Sequence, residues 1–230
     1  MLFRSVAAPV NVHRVNWLWA NPEVFRKAGA SIPTTWADFM VQAKKIQDAG
    51  YIALAHGGQA WQDNTVFEAV VLGVGGAEYY QKAFVDLDMT ALNSSTTDEV
   101  FKVFGELRQF IDANAPGRDW NVATSMVING EAAMQIMGDW AKGEFAVAGK
   151  NAGTDFVCVA APGTSDGFTF NVDSFAFFSQ KDINKQNAQK AMAEEILGTN
   201  FQEVFNLNKG SIPARLGMAR TKFDSCAHDS

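Results

Sequence analysis

At 230 residues the chain is long enough for one large domain or two small ones. Its 47% hydrophobic and 19% charged content is ordinary for a globular protein. A formal net charge of −6 argues against nucleic acid or an anionic membrane as partner, because both select basic surfaces. The aromatic content stands out, with 18 Phe and 6 Trp. His13, His56 and His228 lie far apart, and Cys158 and Cys226 form no CxxC or Cys/His cluster, so neither a metal site nor a cofactor is expected. Totals leave the two cysteines open as a disulfide or as two inert thiols. No run approaches the length of a membrane-spanning helix, and Met1–Val6 lacks the apolar stretch and cleavage site of a signal peptide.

In chain order, Pro9 to Trp19 alternates as one strand rich in β-branched and aromatic residues. Asn21-Pro22-Glu23 opens a short helix, with an N-cap, a first-turn proline and an acid, and Gly29 closes it. A second helix starts near Thr35; its apolar set Trp36, Phe39, Met40, Ala43 and Ile46 recurs at helical spacing. Tyr51 to Ala55 is a short buried strand, and His56 to Asp63 a glycine-bearing loop around Trp61. Asn64 to Leu72 is a helix that Gly73, Gly75 and Gly76 are expected to break. Tyr79 to Leu92 reads as a short helix plus loop, and Thr96 to Ala113 as the clearest amphipathic helix. A turn at Gly117 to Asn121 leads to a helix ending near Ile128. Ala132 to Met137 is a strand, followed by a helix through Phe145 and a strand from Phe156 to Ala160. Phe168 to Phe178 is read as a strand with Asp173 in its middle, and helices follow at Asn184 to Leu197 and Asn200 to Phe205. Mixed strands and helices place the chain in the α/β class.

The stretch Met137-Gly138-Asp139-Trp140 delivers a carboxylate and an indole to the start of a helix, with Asp139 suited to the N-cap. A flat aromatic beside polar groups suits a sugar, whose ring has apolar C–H faces and hydroxyl edges. Trp61, Trp120 and Trp140, with Trp17 as a further candidate, all lie at loop or strand edges beside polar residues. For any one of them, burial in the core explains the residue equally well. Asp173 in an apolar strand must be hydrogen-bonded or face a polar cleft. Asp139 and Asp173 also offer the carboxylate pair of a carbohydrate-active hydrolase, the alternative reading, although 25 acids supply many pairs. No GxSxG, P-loop, Rossmann or HExxH motif accompanies them.

The segment Pro9 to Trp19 with Asn21 and Pro33-Thr34-Thr35-Trp36 resembles the mid-chain hinge crossing of bacterial family 1 extracellular solute-binding proteins. These are the sugar-binding subunits of ABC importers. Ala55-His56-Gly57-Gly58-Gln59-x-Trp61-Gln62, Met137 to Gly143, Pro162-Gly163-Thr164, Asn171 to Phe175 and Lys209 to Arg215 are similar to the glucose/mannose-binding subgroup. The resemblance implies a two-lobe periplasmic-binding-protein-like α/β fold of type II, with a monosaccharide such as glucose or mannose held in the cleft and no catalysis. It implies a periplasmic monomer that serves membrane permease subunits. On this basis residues 1–16 are a remnant of the first lobe and hinge, and 17–159 the second lobe. Residues 160–210 return to the first lobe, and 211–230 hold a hinge and the start of a C-terminal second-lobe segment.

The resemblance further implies that His13 or Arg14 borders the pocket and that Trp140, Trp120 and Trp61 come from the second lobe. Asp173 and Lys209 are expected to bond sugar hydroxyls. The family's opening βα region, its signal peptide and its last helices have no counterpart here, so the chain is expected to be a fragment truncated at both ends. No saturable glucose binding is then expected of it in the micromolar range. Export makes Cys158–Cys226 a disulfide candidate. Closing a 68-residue separation (226 − 158) stabilises a fold by roughly 4 kcal/mol in the loop-entropy picture.

Overall fold

The computed structural model describes residues 6–230. Met1–Ser5, part of the stretch read as a first-lobe remnant, lie outside the described residues. Strands β1 (Val6–Pro9), β2 (Asn11–Arg14) and β3 (Trp17–Ala20) come first, then helices α1 (Pro22–Ala28) and α2 (Trp36–Asp48), and strand β4 (Ile52–Leu54). Helices α3 (Ala60–Tyr80), α4 (Met89–Leu92), α5 (Ser95–Leu107) and α6 (Trp120–Ile128) lead to β5 (Ala132–Ile136). Helix α7 (Ala141–Val147) and strands β6 (Val157–Ala160), β7 (Phe170–Asn171) and β8 (Ser174–Phe177) follow. Helices α8 (Ile183–Ile196) and α9 (Thr199–Lys209), strand β9 (Ile212–Pro213) and the short α10 (Ser225–His228) complete the order. The chain divides into two compact units, Val15–Thr169 and the described residues up to Arg14 together with Phe170–Ser230.

The Val15–Thr169 unit is built on a four-stranded sheet of order β4-β5-β3-β6, in which β4 and β5 are parallel and the other pairings antiparallel. Its central strands are buried on both faces, which explains their unbroken apolar runs. Trp36, Phe39, Ala43 and Ile46 of α2 pack with Val66, Val70, Val100, Leu107 and Met134 in one core. Trp19, Phe145 and Phe156 form a second aromatic stack, the two phenylalanine rings 4.2 Å apart. The caps of α1 follow the expected chemistry: Asn21 accepts from the Glu23 and Val24 amides, and Gly29 ends the helix at φ 61°.

In the other unit β1 pairs with β8, and β2 lies between β7 and β9. Ala8, Val10, Phe177 and Ile196 form its small core. Two buried amides of α9 tie it to the strands. Gln202 donates to the Pro9 carbonyl and accepts from the Ala214 amide, while Asn206 donates to the Val10 carbonyl and accepts from the Ser211 hydroxyl.

Several elements differ from the sequence expectation. Pro9 to Trp19 is not one strand, because pairing partners change along it and divide it among β1, β2 and β3. Helix α3 begins at Ala60 and continues through Gly73 and Gly75, with non-helical backbone only at Gly76 (φ 76°, ψ 174°). Gly73 is a packing device: a Cβ there would stand 2.3 Å from the Pro162 carbonyl oxygen and 2.5 Å from the Trp36 indole nitrogen. Helix α5 ends at Leu107 rather than continuing to Ala113, and its Phe101 is exposed. Phe168 to Phe178 is interrupted at Val172-Asp173, so Asp173 occupies a break between β7 and β8.

Candidate functional site

Topology brings three tryptophans to one end of the four-stranded sheet. Strands β4 and β5 run parallel, so both release their chains at the same edge. The β4 exit leads through His56-Gly57-Gly58-Gln59 to Trp61 in the first turn of α3, and the β5 exit leads directly to Gly138 and Trp140. Helix α6 packs along β5, and its N-terminus stands at that edge, since Gln135 near the end of β5 donates to the Trp120 carbonyl at 3.1 Å. The carboxyl ends of parallel strands are where open α/β sheets place their ligands.

Trp61 is 42% exposed, and Trp140 and Trp120 are half-buried. The Trp61 and Trp140 ring centroids are 6.3 Å apart with planes inclined at 53°. Glycine at 138 makes this geometry attainable, because a Cβ there would stand 2.2 Å from the Trp140 ring. Helix α7 starts at Ala141 with Trp140 in the N-cap position, so the expectation that Asp139 is the N-cap is corrected by one residue. Asp139 is buried at 3% exposure, which removes it as an accessible catalytic carboxylate. Trp17 is also buried, at 1% exposure, and belongs to the core rather than to a site. Its neighbour Asn16 holds the 164–169 loop through Thr164 Oγ1 at 2.7 Å and the Thr169 amide at 3.0 Å.

A polar network braces the tryptophans. Gln59 Oε1 accepts from the Trp61 indole at 2.8 Å and from Gln62 Nε2 at 3.1 Å, while Gln59 Nε2 donates to Asp119 Oδ1 at 2.6 Å. Arg118 makes a bidentate pair with Asp112, at 2.7 and 2.6 Å, and donates to the His56 carbonyl at 3.0 Å. The Arg118 hydrogen bonds hold the Asp112 carboxyl below the usual carboxylate range, against the opposing effect of burial. His56 Nε2 lies 2.8 Å from Asp63 Oδ1. Backbones meet closely here as well: a Cβ on Gly58 would stand 2.2 Å from the Gly117 amide nitrogen.

The other unit gathers a second polar group around Asp173. Asn11, fully buried on β2, accepts the Asp173 amide on Oδ1 at 2.9 Å, which fixes its orientation, and Nδ2 donates to Asp173 Oδ2 at 3.1 Å. His13 Nε2 lies 3.0 Å from the same oxygen, and Lys209, the last residue of α9, contributes its charge. Desolvation alone would raise the Asp173 pKa, but the Asn11 bond, His13 and Lys209 outweigh it and lower the value. The Asp173 side chain remains 51% exposed. Arg14 is buried and donates to the Asp229 carbonyl at 2.9 Å; desolvation lowers its pKa, with the Asp229 charge opposing.

Residues 2–194 match the bacterial extracellular solute-binding protein family. The chain belongs to that family. This solute-binding protein is 50% identical over 221 residues to a probable sugar-binding periplasmic protein of Mesorhizobium japonicum, covering 96% of this chain and 53% of that relative. A chitin oligosaccharide binding protein superposes with a TM-score of 0.80 at 15% identity, over 97% of this chain and 57% of that one. The bacterial solute receptor AcbH, described as having an exclusive preference for β-D-galactopyranose, superposes with a TM-score of 0.69 at 20% identity, over 97% and 57% of the two chains. The fold is therefore of the α/β periplasmic-binding-protein type. The chain spans about half the length of the curated relatives it matches.

Within this solute-binding protein the expected site residues fall into two groups. Trp61, Trp120 and Trp140 share one sheet edge, and His13, Asp173 and Lys209 share one polar cluster. Asn11 and Gln59 stand in the sequence only as members of longer runs, with no role of their own legible there. Amides carry little sequence signal, because one side chain serves surface, turn and buried bridge alike. Cys158 and Cys226 are both disulfide-bonded.

Proposed function

We propose that this chain supplies sugar-recognition surfaces of a non-catalytic substrate-binding protein of an ABC importer, acting in the periplasm and delivering an aldohexose such as glucose or mannose to membrane permease subunits. The observation that carries the reading is the open Trp61–Trp140 pair at the exit of two parallel strands. Each indole face takes the C–H face of a pyranose, at about 0.5–1.5 kcal/mol per aromatic contact beyond area burial. The names of the curated relatives support sugar as the ligand class. Planes inclined at 53° make a corner for one ring rather than a flat shelf for a run of rings, which favours a monosaccharide. Asp173 and Lys209 supply an ionised acceptor and a donor for hydroxyl groups.

The test is titration of the chain with aldohexoses and with short oligosaccharides in the millimolar range, followed by indole ¹H–¹⁵N spectra. The expected result is a saturable shift of the Trp61 and Trp140 signals with aldohexoses, abolished by Trp140→Ala in a protein whose far-UV circular dichroism is unchanged. Signals that ignore every sugar, or a Trp140→Ala variant with wild-type affinity, would overturn the reading. A stronger response to the oligosaccharides would keep the sugar site and reject the monosaccharide.

A further inference from the structure

Two helices at the tryptophan edge begin with residues that do not cap them. Gln59 and Asp119 occupy the N-cap positions of α3 and α6, and neither side chain accepts a backbone amide of its own helix. For Asp119 this is costly, because aspartate is among the best N-caps and the interaction is typically worth ~1 kcal/mol. Instead the Asp119 carboxylate is turned onto Gln59 Nε2 at 2.6 Å, while Gln59 Oε1 receives the Trp61 indole at 2.8 Å. Donor and acceptor roles fix the Gln59 amide without ambiguity: its oxygen faces two N–H groups and its nitrogen a carboxylate. One half-buried side chain thus ties the first turn of α3 to the first turn of α6, across 60 residues of sequence.

Two consequences follow. The Trp61 indole N–H is already occupied, so its ring meets a ligand by its face alone. Asp119 uses one oxygen on Gln59, and its second oxygen has no hydrogen-bond donor among the described residues while the side chain stays exposed. We propose that Gln59 is a positioning residue, a clasp that orders Trp61 and holds Asp119 off its helix, so that the free Asp119 oxygen accepts a hydroxyl from the ring seated on Trp61. The Asp119 part rests on the sugar reading above; the clasp does not. A carboxylate acceptor at the rim distinguishes ring epimers, because only a hydroxyl directed at that edge reaches it.

The experiment compares the wild-type chain with Gln59→Ala and Asp119→Asn by indole ¹H–¹⁵N exchange, with glucose, mannose and galactose as probes. Gln59→Ala is expected to speed Trp61 N–H exchange by roughly three- to tenfold, the equivalent of one net hydrogen bond. Asp119→Asn retains a carbonyl oxygen for Gln59 and should leave that exchange unchanged, while weakening the preferred sugar by roughly three- to tenfold and altering the ranking of epimers. Unchanged Trp61 exchange in Gln59→Ala overturns the clasp. Undiminished affinity and ranking in Asp119→Asn overturn the acceptor role. If no sugar perturbs the wild type, the sugar reading and the Asp119 role fall together, and the exchange rates alone decide the clasp.

Discussion

Gly138→Ala tests whether the Trp140 ring is seated as described. A Cβ at this position would stand 2.2, 2.3 and 2.6 Å from three carbons of the Trp140 six-membered ring, the three nearest atoms. Carbon contacts settle near ~3.5 Å, so the ring must retreat by about 1.3 Å or more. Gly138 is not among the glycines with positive φ, so the penalty is steric and not a matter of backbone strain. Overpacking costs about 1–3 kcal/mol in a closed core. Trp140 is half-buried and can yield outward, which places the expected cost at the low end, about 1–2 kcal/mol including the lost contact with Trp61. Urea unfolding of the wild type, Gly138→Ala, Trp140→Ala and the double variant measures it. Because the three atoms nearest the added methyl all belong to the Trp140 ring, its penalty should fall sharply in the Trp140→Ala background. An equal penalty in both backgrounds would refute the seat.

Arg118→Met should cost about 3 kcal/mol at neutral pH, because it leaves the Asp112 carboxylate, only 13% exposed, without its bidentate partner. Since the folded Asp112 pKa is lowered, the pair's contribution is present above the ordinary carboxylate pKa and lost as pH falls through the folded value. Urea melts at successively lower pH should therefore converge for the two proteins, and a constant gap would reject the assignment. Asn11→Ala removes the leading hydrogen bond that lowers the Asp173 pKa, so carboxyl ¹³C titration should move that pKa upward; an unmoved titration would refute the Asn11 role. Cys158 and Cys226 should show no reactive thiol in denaturant until reductant is added, and immediate reaction of both would refute the bridge.

How far the fold was legible depended on how local its causes are. The ends of α1 were readable because the cap chemistry of Asn21, Pro22 and Gly29 acts on their own helix. Gly76 does interrupt α3, but Gly73 and Gly75 were misread as breaks for the opposite reason. As a run they weaken a helix, but Gly73 is needed where the Pro162 carbonyl crosses it, and that crossing lies about ninety residues away in the chain. Pro9 to Trp19 alternates as one strand should, yet its division follows from partners at residues 170–177, 212–213, 134–136 and 157–160, none visible locally. Asp173 appeared to sit within a strand because its neighbours are apolar. Its amide is taken by a side chain, Asn11 Oδ1, which is where the strand breaks.

The tryptophans show what composition alone leaves undecided. Trp17, Trp19, Trp61 and Trp140 share the same chemistry, and four residues either side of each contain both apolar and polar neighbours. Their fates separate by position in the sheet. Trp17 and Trp19 lie on β3, between β5 and β6 in the sheet, and are buried; Trp61 and Trp140 follow the ends of the parallel strands β4 and β5, where Trp61 is exposed and Trp140 half-buried. The two classes are nonetheless joined. The buried Trp19 indole donates to the Met137 carbonyl at 2.7 Å, the residue immediately before Gly138. The strand end that carries Trp140 is therefore anchored by a core tryptophan, and Trp61 is anchored by Gln59. Rigidity at this edge comes from the core on one side and from an amide clasp on the other. For the sugar proposed above, a corner held from both sides needs no ordering on contact, which lowers the entropic cost of binding.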